Sequence, residues 1–215
     1  MAGEDAALLR QRLHALLESS QGQLDQPADG RLLMTPQEQD AAHPAAVLVA
    51  VVNLPEGPAI LLTRRTEHLQ HHAGQISFAG GRTDPADRDP VHTALREAQE
   101  EIGLDLADVR ILGQLPEFFI PTGYRVTPVL AWLDLPPRLR ADPDEVAEIF
   151  YLPTRLALDP AAWQLEQLER KGGVRSIWVM TFEGRRIWGA TAGILMWLAQ
   201  TLHQTLPRTL PRTLD

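Results

Sequence analysis

Apolar residues recur along this chain in two rhythms, one helical and one extended. Leu9, Leu13, Leu16 and Leu17 fall at helical spacing, with Arg10, Gln11, His14 and Glu18 between them. This predicts an amphipathic helix over residues 5–19, its stripe packed on the domain or on a second subunit of a homodimer. The polar face is not notably basic, which argues against a membrane surface. Residues 20–44 are polar and punctuated by Pro27, Gly30, Pro36 and Pro44, and read as a long loop. Continuous apolar runs over 45–53 and 59–63 flank Pro55-Glu56-Gly57-Pro58, the pattern of adjacent buried strands joined by a turn. Helical spacing returns at Val91, Leu95, Ala98 and Ile102. Asp89 offers an N-cap oxygen, Pro90 has no N–H to lose in the first turn, and Gly103 supplies the left-handed stop. Residues 109–115 and 124–133 alternate as strands, with 118–123 as the loop between them, and a further strand lies within 142–151. A hairpin is predicted from 174–182 and 185–188 around Glu183-Gly184, and Ile187-Trp188-Gly189 opens a final helix continued by Leu198 and Leu202. The near-repeat Thr205-Leu206-Pro207-Arg208 and Thr209-Leu210-Pro211-Arg212 cannot be helical with a proline every fourth residue, and reads as a disordered tail.

Strands and helices in mixed order imply an α/β fold with a mixed β-sheet between helices. The expected organisation is an N-terminal helix and linker over 1–44, one domain over 45–204 and a tail over 205–215. At 215 residues and 44% hydrophobic content, the chain can bury one substantial core. No apolar run approaches the eighteen or so residues of a membrane span, and the first residues lack a basic signal start. There are no cysteines, which excludes disulfides and thiolate metal sites and fits a cytoplasmic protein. A net charge of −8 repels nucleic acid and other polyanions. A phosphate-ester substrate must therefore meet local cations that overcome the overall field.

Glu97, Glu100 and Glu101 change the picture most. They stand three and four residues apart, so their carboxylates converge on a helix face away from the apolar stripe. Repulsion costs roughly 0.2–0.5 kcal/mol per pair, and anions near a helix C-terminus cost a further 0.3–1 kcal/mol or so each. The face is either simply solvated or neutralised by a divalent cation, since Mg²⁺ takes carboxylate oxygens. His68, His71 and His72 do not make a zinc site without a cysteine or a second ligand cluster; they read as loop residues beside a cleft. Arg64 and Arg65 leave the second strand, either solvated or in contact with phosphate. Phe118 and Phe119 either stack on a base or fill the core.

The run Arg96-Glu97-Ala98-Gln99-Glu100-Glu101-Ile102-Gly103-Leu104 resembles the second half of the Nudix box at every fixed position. In the first half Gly81 is followed after five residues by Asp87 instead of glutamate, and eight residues instead of seven then precede Arg96; no role is carried over to Asp87. Leu61-Leu62-Thr63-Arg64-Arg65, Gly74 and Phe78-Ala79-Gly80-Gly81 are similar to the upstream signature of the coenzyme A pyrophosphatase branch. Gly123-Tyr124-Arg125-Val126-Thr127-Pro128-Val129 and Ile187-Trp188-Gly189-Ala190-Thr191-Ala192 are similar to that branch too. Thr66, Gln70 and Ala79 depart from the pattern, and Gln70 stands where the branch has an arginine.

The resemblance spans roughly residues 45–200 and implies a Nudix-type α/β/α sandwich and metal-dependent pyrophosphohydrolysis. It implies that the Gly81 carbonyl, Glu97, Glu100 and Glu101 hold Mg²⁺ or Mn²⁺. Glu100 or Glu101 would orient or deprotonate water, and Arg96 would position a glutamate. Glu145 matches a glutamate that approaches the metal site as a base or extra ligand; the bland alternative is a surface carboxylate at a strand start. The implied substrate is coenzyme A or a derivative. The other readings are a different nucleoside diphosphate derivative (a nucleotide sugar, dinucleoside polyphosphate or triphosphate), a non-catalytic nucleotide-binding module, or a purely structural acidic helix.

Overall fold

The computed structural model describes residues 5–19, 34–68, 72–170 and 173–204. Its main sheet has eight strands: β1 (His43–Leu54), β2 (Gly57–Arg65), β3 (Ile76–Ser77), β4 (Ala79–Arg82), β5 (Arg110–Gln114), β6 (Phe118–Ile120), β7 (Tyr124–Leu133) and β8 (Val146–Pro153). A separate antiparallel sheet holds β9 (Gln164–Arg170), β10 (Gly173–Phe182) and β11 (Arg185–Trp188). The α-helices of the described residues are α1 (Ala6–Ser19), α2 (Pro36–Asp40), α3 (Pro90–Ile102), the single turn α4 (Thr154–Ala157) and α5 (Gly189–Gln204).

Strand β1 is the axis. It runs parallel to β7 and antiparallel to β2 and β4, so the sheet is mixed. Ala46, Leu48, Ala50 and Val52 face one way, and Val49 and Val51 the other, as pleating requires. Both faces are covered, which is why the sequence here is continuously apolar and not alternating. On the first face Ala94, Ala98 and Ile102 of α3 pack with Leu48, Val129 and Leu133. On the second, α1 and α5 pack with Val49, Leu130 and Trp132. The result is the α/β/α sandwich that the order of elements predicts.

Leu9, Leu13 and Leu16 of α1 are fully buried against α5 and the sheet, each contributing about 1.5–3 kcal/mol of apolar burial. The stripe is thus covered within the chain and is not left for a second subunit. The expected loop over 20–44 contains α2, since Thr35 and Glu38 form a reciprocal capping box with bonds of 3.2 and 2.7 Å; residues 20–33 lie outside the described residues. Phe118 and Phe119 belong to β6, where both are buried and Phe118 meets Trp197 edge-on at 6.3 Å. Core filling, not base stacking, is therefore their fate. The hairpin around Glu183-Gly184 and the final helix stand as the sequence predicts, whereas β9 was not expected. The proline-rich tail at 205–215 is outside the described residues. Among the described residues, no helix is long and apolar enough to cross a membrane.

Candidate active site

Helix α3 carries the site, and both its ends are fixed. Asp89 accepts from the His92 amide at 2.8 Å, and Gly103 closes the other end at φ 62°, a conformation that favours glycine. The last two carbonyls do not go unpaired. Asp142 N–H donates to Glu101 O at 2.8 Å and Arg140 N–H to Ile102 O at 2.9 Å, answering the open acceptors of a helix end. This return strap leads directly into the turn that bears Glu145.

The three glutamates do not share one solvated face. Glu101 is buried with Thr93, Ala94, Ala98 and Ile102. The Glu97 side chain is 17% exposed and that of Glu100 is 59% exposed. The helix is rolled relative to its apolar stripe, leaving Val91 and Leu95 only half-buried. Two glycines of β4 leave room around it, Gly81 under the helix and Gly80 against β1. A Cβ on Gly81 would stand 2.6 Å from the Glu97 carboxyl carbon, and one on Gly80 would stand 2.4 Å from Ala46 O. With no side chains there, the carboxylates settle against the strand, and Gly80 N–H donates to Glu101 Oε2 at 3.2 Å. Burial raises the Glu101 pKa from the ordinary 4.5 to about 8. The Gly80 amide and Arg65 oppose that shift, and Glu145 and Glu97 add to it. Glu97 is also raised, first by burial. Burial, more than the neighbouring charges, is what disfavours the ionised carboxylates here.

Arg96 organises the solvent side. Its Nε and Nη2 donate to the two oxygens of Asp87 at 3.1 and 3.0 Å, and Nη2 also reaches Arg82 O at 3.1 Å. Its Nη1 stands 2.9 Å from both Glu97 Oε1 and Glu100 Oε2. Asp87, only 1% exposed, also accepts from the Asp84 amide, Thr93 Oγ1 and His92 Nδ1. The Arg96 guanidinium, more than any other neighbour, holds the Asp87 carboxyl far below the usual carboxylate range. Motif spacing carried no role over to Asp87, because one residue too many separates it from Arg96. The only available signal was chemical, an acid shortly before an arginine that needs a bidentate partner.

Strand β2 supplies a second cation. Arg65 Nη1 lies 3.6 Å from Glu101 Oε1, and Nη2 lies 3.7 Å from Glu145 Oε2. The register of β2 on β8 slips between Arg64 and Arg65, which pair with Glu148 and Val146. This bulge re-aims the side chains beside it, and Thr66 N–H then donates to Glu145 O at 2.9 Å. The Glu145 side chain is half-exposed. Arg64 is not brought into this group; it leaves the opposite face of the strand and stands 3.2 Å from Glu148, an ion pair without hydrogen-bond alignment. His68 Nε2 reaches Asp144 O at 3.0 Å and His72 Nδ1 reaches Gln75 Oε1 at 2.9 Å. His71 and Gln70 lie outside the described residues.

Among the described residues, no three acidic or histidine side chains form a ready-made metal cage, and Arg96 engages Glu97 and Glu100. The donor set nonetheless fits a hard divalent cation. All its atoms are oxygens, and buried Glu101 and half-buried Glu97 stand near Glu145, where burial disfavours their charged forms.

The NUDIX domain family model matches residues 42–171. An uncharacterized Nudix hydrolase NudL of Yersinia enterocolitica is 37% identical over 184 residues, covering 86% of this chain and 91% of the relative. The NudL of Escherichia coli is 41% identical over 157 residues, covering 72% and 80%. Among solved structures, the Nudix hydrolase RenU of M. smegmatis is 23% identical with a TM-score of 0.45, over 53% of this chain and 72% of that one. A family match across more than half the chain, over a glutamate-bearing helix seated on a diglycine strand, leaves one conclusion: the chain belongs to the Nudix family and is a hydrolase of phosphorus-containing anhydrides.

Proposed function

We propose that this enzyme cleaves the diphosphate of coenzyme A and its derivatives. Water adds to one phosphorus, the bond from that phosphorus to the bridging oxygen breaks, and the products are adenosine 3′,5′-bisphosphate and 4′-phosphopantetheine. The observation that carries the reading is Arg65. It belongs to the upstream segment similar to the coenzyme A branch, and its guanidinium stands beside both Glu101 and Glu145. There it would bind a diphosphate oxygen by charge-assisted hydrogen bonds.

Nudix hydrolases generally use divalent metal ions. In this reading Glu97, Glu100, Glu101 and the Gly81 carbonyl would hold Mg²⁺ or Mn²⁺. When bound, the cation supplies neutralisation of diphosphate charge and Lewis acidity. Glu145, half-exposed beside Arg65, takes the proton of the attacking water. Arg96, clamped by Asp87, holds Glu97 and Glu100 in place and keeps their oxygens turned to one side of the helix. Arg64, on the other face of β2, is assigned no contact with substrate.

Incubation of the full chain with Mg²⁺ or Mn²⁺ and coenzyme A, followed by chromatography, tests the proposal. The expected products are the two named above. Intact coenzyme A alongside cleavage of a nucleotide sugar, dinucleoside polyphosphate or nucleoside triphosphate would move the assignment to that substrate.

A further inference from the structure

The family match ends at residue 171, yet the chain beyond it reaches back to β8, the strand paired with the one that delivers Arg65. Arg185, at the start of β11, donates through Nε to Glu148 Oε1 at 3.1 Å and contacts the same oxygen through Nη2. Its guanidinium lies 4.7 Å over the Phe150 ring, and Nη1 holds Glu183 at 2.9 Å. The other Glu148 oxygen faces Arg64 at 3.2 Å. Both members of the Arg185–Glu148 pair are largely shielded, with side chains 22% and 29% exposed, so the pair is screened less than a surface bridge. Arg185 also keeps Glu148 ionised by holding its carboxyl below the ordinary range.

The location matters more than the strength. Glu148 and Arg64 form the last regular pair before the β2–β8 bulge, after which Arg65 pairs with Val146. A slip of one residue in a strand turns every side chain to the other face. With the bulge in place, Arg65 and Glu145 stand together beside Glu101; without it, they would not. We propose that Arg185 is a positioning residue of the active site, acting through Glu148 to fix the bulge that aims Arg65 and Glu145. The inference rests on the reading of those two residues as working groups, and it makes the C-terminal hairpin part of the catalytic unit.

Arg185→Met in the full chain tests this, since methionine keeps apolar bulk over Phe150 and removes the charge. Amide hydrogen exchange followed by NMR reads the bulge directly at Thr66, whose N–H closes it on Glu145 O. Exchange at Thr66 is expected to quicken tenfold or more, while Val51 in the central strand keeps its protection. In parallel, kcat/KM is expected to fall about tenfold in the otherwise native enzyme and to fall less in a Glu145→Gln background, where only the share routed through Arg65 is left, because contributions routed through one group are not additive. Unchanged protection at Thr66, or an undiminished fall in the Glu145→Gln background, overturns the proposal. If Arg185→Met does not fold, Glu148→Gln is measured by the same criteria and decides. The exchange experiment needs no substrate, and the kinetics use whichever diphosphate the enzyme cleaves. Failure of the coenzyme A reading is therefore distinguishable from failure of this one.

Discussion

Glu101 sets function against stability within one side chain. Its pKa in the fold is about 8 against an ordinary 4.5. The fold therefore favours the protonated acid, and that contribution is complete below pH 4.5 and lost as pH rises through about 8. Metal-free protein should lose a few kcal/mol from this residue across that window. Glu101→Gln removes the ionisable group while keeping the shape. Its metal-free melting temperature at pH 8 is expected about 5 °C above the native protein's, at the 2–4 °C or so per kcal/mol of a domain this size. Turnover with saturating metal should fall at least about a hundredfold, the scale of one lost charge-stabilising group. Glu100→Gln separates the two effects. Its side chain is mostly in water, so the same loss of turnover should come with no gain in melting temperature. Calorimetry without metal and steady-state kinetics with it check the pair, and near-native turnover in either variant refutes the ligand assignment.

At the scale of elements, what could be read from sequence depended on where each element's structure is decided. Strands β1 and β2 were legible because burial on both faces writes a continuous apolar run into the chain itself, and β7 through its alternation. Helix α3 was legible in its ends, Asp89-Pro90 and Gly103, but not in its roll. The roll lays the Glu97 carboxylate where a side chain on Gly81 would stand, and that residue belongs to another element. Strand β9 was missed because Gln164-Leu165-Glu166-Gln167-Leu168-Glu169 has the composition of a helix, and its extended state comes from pairing with β10, a tertiary override of local preference. Helix α2 was legible in principle through Thr35-Pro36-Gln37-Glu38, a capping-box pattern that proline-rich surroundings obscured. Two substitutions test the dependence of α3 on its neighbours. Gly81→Ala forces its Cβ into the Glu97 carboxyl group, and turnover should fall about a hundredfold if that group works in the transition state. Asp87→Ala strands Arg96 without its bidentate partner; urea unfolding should show a loss of about 3 kcal/mol, the cost of breaking a buried charged pair. An effect of Asp87→Ala below about 0.5 kcal/mol, the usual range of surface changes, would show that the clamp is not holding the loop.

For the molecule as a whole, charge is the constraint that the site must overcome. A chain of net charge −8 places the buried Glu101 beside two further carboxylates and one arginine. Such a cluster is tolerable in a folded protein if the acid stays protonated or if a cation replaces the proton. These two solutions compete, and the competition is measurable. An ion that binds the native state stabilises it by about 2.7 kcal/mol at a hundred times its Kd. For a domain this size that is roughly 5–10 °C. Mn²⁺ added to the native protein should therefore raise the melting temperature by about that amount at pH 8. The rise should be smaller at pH 6 for the same concentration, because the ion must first displace the Glu101 proton. Glu101→Gln should blunt the rise at pH 8 and remove most of its dependence on pH. A purely structural acidic helix predicts no rise with metal at either pH, and a pH-independent rise would place the ion away from Glu101.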